Sequence, residues 1–133
     1  GTDIHGDALT ESITGANAGT ATGSKFFKTI ASITAVGNPA GNVSAGVTAS
    51  CADVIFAGRS RLKGAYIVNS GTAGTIKFRT TSEAGDTQME VGTVASATVT
   101  RDLNVPDEGV LFTGGIYITY TGATFASMTA FHA

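Results

Sequence analysis

Residues 115–122 read GIYITYTG, a run of β-branched and aromatic side chains closed at both ends by glycine. Ile116, Ile118 and Tyr120 fall on one parity, and Tyr117, Thr119 and Thr121 on the other. A period of two between glycines is the mark of a half-buried β-strand. No window of the chain offers a competing i, i+3, i+4 apolar stripe with a cap, so no helix is expected.

The same grammar extends outward in both directions. TIKFRTT (75–81), MEVGTVA (89–95) and ATVTRDLNV (97–105) are predicted strands, and DVIFAGRSRLKGAYIVNSG (53–71) a longer strand segment. Pro106-Asp107-Glu108-Gly109 is a turn, because Pro presets φ and Gly supplies a positive one. ASMTAFHA (126–133) is expected to pair back onto 115–122 across Gly122. In the first half, ALTESIT (8–14), SKFFKTIASITAVG (24–37) and VSAGVTA (43–49) read as strands, with NPAGN (38–42) a turn. Phe27, Ala31 and Ile33 share one parity in 24–37, while Phe26, Ile30 and Val36 share the other, which suggests a β-bulge or burial on both faces. The expected fold is all-β: an antiparallel β-sandwich or barrel, as one body or as two small tandem modules. The boundary is placed between an N-terminal β module, 1–50, and a C-terminal β-sandwich module, 51–133. The chain opens inside a turn, at Asp3 and Gly6-Asp7, with only Gly1 and Thr2 before it, so either the chain has been cut or its numbering starts where the ordered part starts.

Composition narrows the possible roles. Charged residues make up 14% of the 133, against about 25% in ordinary soluble domains, while 42% are hydrophobic. A surface so poor in charge must be Thr, Ser, Ala and Gly, or be covered by partner subunits. The net charge of −2 supplies no basic field to hold nucleic acid. No apolar run approaches the ~20 residues of a membrane-spanning helix. Cys51 is the single cysteine, which excludes an internal disulfide, and a small buried thiol is expected there.

Few residues suggest chemistry. Asp3, His5, Asp7 and Glu11 could ligate a metal, but they lack the count and spacing of a calcium loop and read better as a solvated hairpin tip. His5 and His132 sit near opposite ends of the chain, and neither belongs to a nucleophile motif. No phosphate-cradling loop is present. A non-enzymatic role without cofactor or metal is therefore expected. Tyr66, Tyr117 and Tyr120 could form a sugar-stacking shelf, but the opposed parities of the last two favour packing roles. Arg59, Arg61 and Lys63 stand at i, i+2, i+4, and Lys77 and Arg79 repeat the spacing on what reads as a neighbouring strand. An ordinary wet face explains such a stripe. Alternatively, the five form an interface against an acidic surface of a partner subunit, where Arg forks fix register.

Gly6, Leu9-Thr10-Glu11, Ile13-Thr14-Gly15, Asn17-Ala18-Gly19-Thr20, Phe27-Lys28-Thr29-Ile30 and Gly41-Asn42-Val43-Ser44 together resemble a segment recurrent in tailed-bacteriophage virion proteins. VNSGTAGTIKFRTTS (68–82), VPDEGVLFTGGIYITYTGA (105–123) and the closing ASMTAFHA are similar, more loosely, to small phage structural modules. The resemblance implies a structural virion protein, foremost a capsid decoration (cement) protein. Its partners would be copies of itself as a homotrimer and the major capsid protein or other virion subunits, with neither nucleic acid nor membrane among them. A tail, neck or fibre-base subunit is the alternative address on the virion. A repeating subunit of a non-viral extracellular filament would share the same composition, and a carbohydrate-binding sandwich is a further alternative.

Overall fold

The computed structural model describes residues 1–37, 41–46, 48–122 and 124–133, and among them no helix occurs. The chain forms two compact units, Gly1–Thr48 and Ala49–Ala133.

All eight strands belong to the second unit: β1 (Ser50–Phe56), β2 (Ser60–Asn69), β3 (Gly74–Thr80), β4 (Thr87–Thr93), β5 (Thr100–Asn104), β6 (Val110–Phe112), β7 (Ile116–Thr121) and β8 (Phe125–His132). They make two antiparallel sheets. The first has the order β1-β7-β3-β4. The second is built on β2, which pairs β8 along one edge and β5 and β6 in succession along the other. Leu62, Ala65 and Ile67 of β2 and Phe112 of β6 meet Ile76 and Phe78 of β3, Val91 of β4, and Ile116 and Ile118 of β7 in one core. Two sheets joined through their apolar faces make a β-sandwich, held chiefly by burial of those side chains.

The period of GIYITYTG is realised in β7, where Ile116 and Ile118 enter the core. Two connections differ from the expectation. ASMTAFHA does not fold back on β7; as β8 it crosses to the second sheet and pairs β2, with Met128 opposite Ile67 and Ala130 opposite Ala65. The link from β2 to β3 also passes between sheets, through a bend where Gly71 takes φ 89°. The 53–71 segment is two strands, broken at residues 57–59.

A bulge does occur, but in β2 rather than in 24–37. The register against β8 steps from Leu62–His132 to Gly64–Phe131, leaving Lys63 over. Ser60 and Leu62 are buried before the slip, and Ala65, Ile67 and Asn69 after it, so the inward parity changes. Along the opposite edge, β5 and β6 run in the same direction and are separated by Val105–Gly109. The Val105 amide still reaches the Lys63 carbonyl at 2.9 Å, and Gly109 N donates to Pro106 O at 3.2 Å. Gly109 holds φ 77°, and a Cβ there would collide with the Leu62 carbonyl, so glycine is required on both counts. The Pro106–Gly109 turn is thus the excursion that divides one edge strand into two.

The first unit has no named strand and, among its described residues, none that is buried. The strands expected at 8–14 and 24–37 are not formed, and residues 43–46 and 48–49 of the strand expected at 43–49 form none either, Val47 lying outside the described residues; the turn expected at 38–42 lies largely outside them too. What holds the unit is a set of local bonds. Thr2 bridges Ala8 on one side and Thr29 on the other, with Thr2 N to Thr29 O at 3.0 Å and Leu9 N to Gly1 O at 2.9 Å. Gly1 and Thr2 thereby serve as the short arm opposite Ala8 and Leu9. Val, Ile and Thr favour strands only where a partner strand and a surface to cover exist, and within this unit neither is present for the described residues of 30–37 and 41–46.

Candidate functional site

Between β1 and β7 of one sheet and β8 of the other lies an open cleft of about 360 Å³. Val54, Ile55, Ile118, Tyr120, Phe125 and Met128 give it an apolar lining, with Asp53 and His132 as its ionisable members. Ile118 and Tyr120 share one parity of β7, and Met128 and Ala130 the inward parity of β8, while the exposed Phe131 points away. The Tyr120 and Phe125 rings lie 4.7 Å apart at a tilt of 56°. Burial first, then the nearby Cys51 and Asp53, push the Tyr120 hydroxyl above its usual pKa, so it stays a neutral phenol. His132 stacks on Phe56 at 4.9 Å between centroids, and its Nδ1 lies 3.3 Å from the Ser60 hydroxyl. That hydroxyl donates to the Ala133 carbonyl at 3.0 Å. The serine is buried, and the imidazole rests on an aromatic ring rather than on an orienting carboxylate, which a nucleophilic Ser/His pair requires. The cleft combines apolar side chains with a larger share of exposed polar surface, so it can receive a side chain together with the backbone that carries it.

The five basic residues do not share one face. Arg61 and Lys63 belong to β2, and Lys77 and Arg79 to β3 in the other sheet, while Arg59 precedes β2 in the bend. Most have partners within the molecule. Arg79 Nε donates to Thr119 Oγ1 at 2.9 Å and Nη1 to the Gly85 carbonyl at 2.7 Å. Lys63 Nζ reaches the Asp107 carbonyl at 3.3 Å. Lys77 meets its cross-strand partner Glu90 at 3.7 Å, and Arg61 meets Glu108 at 3.2 Å. The Arg61–Glu108 pair is 35% and 79% exposed, so it contributes little to stability.

The tyrosines are also dispersed. Tyr66 is exposed on the second sheet, Tyr117 is buried opposite the core-facing parity of β7, and Tyr120 lines the cleft. No common shelf exists for a sugar ring. Cys51 is half-buried rather than enclosed, its thiol 3.6 Å from the Ala49 carbonyl.

The carboxylates near the start of the chain bind backbone. Asp3 Oδ1 accepts the amides of His5 and Asp7, both at 2.9 Å. Glu11 Oε1 accepts the amide of Ser24 at 2.7 Å, its hydroxyl at 3.1 Å and the amide of Lys25 at 3.3 Å. Among the described residues no group of three or more His, Cys, Asp or Glu side chains is placed to hold a metal.

The Ser24 amide bond is the main cause that lowers the Glu11 pKa; partial desolvation opposes it, and the remaining Ser24 and Lys25 interactions reinforce it. A depressed carboxylate stabilises the fold above its unfolded pKa, and that contribution is lost as pH falls through the folded value. Acidification through and below the ordinary glutamate range is therefore expected to release the 11–25 clamp. Ser24 and Lys25 amide resonances should move together and their exchange should quicken, whereas Glu11→Gln should remove this acid transition. Amide signals that stay fixed through that range would show that the clamp does not form.

Sequence reasoning missed the cleft because its lining comes from β1, β7 and β8, which are brought together only by the crossing of β8 between sheets. No family model, curated protein or solved structure matches the chain.

Proposed function

We propose that the protein is a non-enzymatic structural subunit of a virion, foremost a capsid decoration protein that works by packing against copies of itself and neighbouring shell subunits. One observation carries the assembly part of this reading. Residues 29–52 contain no charged side chain, and within them Ile30, Ile33, Val36 and Val43 stand 49%, 63%, 96% and 61% exposed. Apolar side chains left this exposed along an uncharged stretch favour contact with another protein. The virion address rests on the sequence resemblance at residues 6–44.

Sedimentation of the full chain tests the reading. A discrete trimer is expected, and because the contact is apolar it should persist at high salt. An oligomer that dissolves as salt rises would instead favour a contact made by the basic residues. An open filament would favour the extracellular-array alternative, since closed and open assemblies differ in symmetry. A monomer throughout the micromolar range would overturn the proposal.

A further inference from the structure

We infer that the free edge of β8 accepts residues Ile30–Val36 of a second copy as an added strand, with Ile33 seated in the cleft between the sheets. This deepens the assembly reading and rests on it.

The donor is defined by what it lacks. Among the described residues, those from Ile30 to Gly46 make no hydrogen bond and join no ladder, although IASITAV is rich in β-branched residues. As a strand, Ala31, Ile33 and Ala35 would share one side, which is wholly apolar, while Ser32 and Thr34 would occupy the middle of the other. The segment is seven residues long and uncharged, so placing it against protein removes no ion from water.

The acceptor is defined by elimination among the sheet edges. β8 pairs β2 on one side only. Its eight residues, FASMTAFH, hold no proline, lysine or carboxylate, the devices by which sheets usually protect an edge. The other margins are less receptive: β1 carries Asp53, β4 carries Glu90, and the β5–β6 margin is broken by Val105–Gly109. Beside β8, Met128 and Ala130 open onto the cleft. A strand laid along β8 would satisfy unpaired backbone groups on both partners and turn alternate side chains toward that cleft, the usual arrangement of strand addition.

Two experiments on the full chain test this. With Cys51→Ser as background, Ile33→Cys combined with Met128→Cys or with Ala130→Cys is oxidised and its intact mass measured. The expected product is covalently joined copies. A disulfide within single chains would overturn the proposal by showing that each arm fills its own cleft. Absence of any disulfide while the oligomer persists would overturn strand addition and leave the assembly reading standing; absence of any oligomer would overturn both. Second, Ile33→Asp should weaken self-association at least about tenfold with the unfolding midpoint of the sandwich unchanged, whereas Ile13→Asp, at a comparably exposed isoleucine outside the donor segment, should not. Equal weakening by both would overturn the assignment of the donor.

Discussion

Phe78→Ala is expected to destabilise the sandwich by about 3–5 kcal/mol, the usual range for removing a fully buried phenylalanine. Phe78 is 0% exposed on β3, a strand flanked on both sides by β4 and β7, so a void there has little freedom to collapse. Both sheets contribute to the core it occupies, and the loss should weaken their packing as a unit. With a net stability of about 5–15 kcal/mol for a typical domain, such a loss takes away a large share. The unfolding midpoint should fall by well over 10 °C, at about 4–8 °C per kcal/mol for a domain of this size. Calorimetry or urea titration would show it, and a shift of only a degree or two would mean that the sheets do not share this core.

Asn69→Leu should be the costliest change at a polar position. Asn69 ends β2, is 0% exposed, and its Nδ2 donates to the carbonyls of Val94 and Ala97, each at 2.8 Å. Its own amide donates to the Val99 carbonyl at 2.8 Å. One side chain thus holds the connection from β4 to β5 against the end of the sandwich. Leucine keeps the volume and leaves two carbonyls unpartnered, at about 1–3 kcal/mol for each group that stays buried. Because Val94 and neighbouring residues are exposed, the loop can lift into water and recover part of that cost, so a net loss of about 2 kcal/mol is expected. The informative readout is local: amides 94–99 should exchange faster and proteases should cut there, while the core amides of β3 and β7 stay protected. Uniform loss of protection would assign Asn69 a role in the whole core instead.

The sequence shows most clearly where a strand is regular and its turns are chemically marked. GIYITYTG, TIKFRTT and the Pro106–Gly109 turn lie where alternation and glycine placement put them. Parity, however, carries only as far as the register is unbroken. Arg61 and Lys63 are read as one row, but Lys63 is the residue left over in the bulge, and the one local hint in SRLKGAYIVN, Gly64 inside the strand, does not tell which residue is left over. Lys77 and Arg79 fall beside them only if consecutive strands are neighbours, whereas the Gly71 bend carries the chain to the other sheet. IASITAV has every local feature of a strand and lacks the partner that would make it one. The cleft follows from the crossing of β8, a long-range choice that no short window records.

The interrupted margin of β5 and β6 has a consequence for stoichiometry. An edge broken by Val105–Gly109 offers a newcomer no unbroken row of backbone groups. If β8 receives Ile30–Val36 of a second copy as inferred above, each molecule has one segment to give and one seam to receive, and the contact is head-to-tail. Such links either bend round until the last tail meets the first seam or run on without end. The angle between successive molecules, rather than the strength of any contact, would then set the number of subunits.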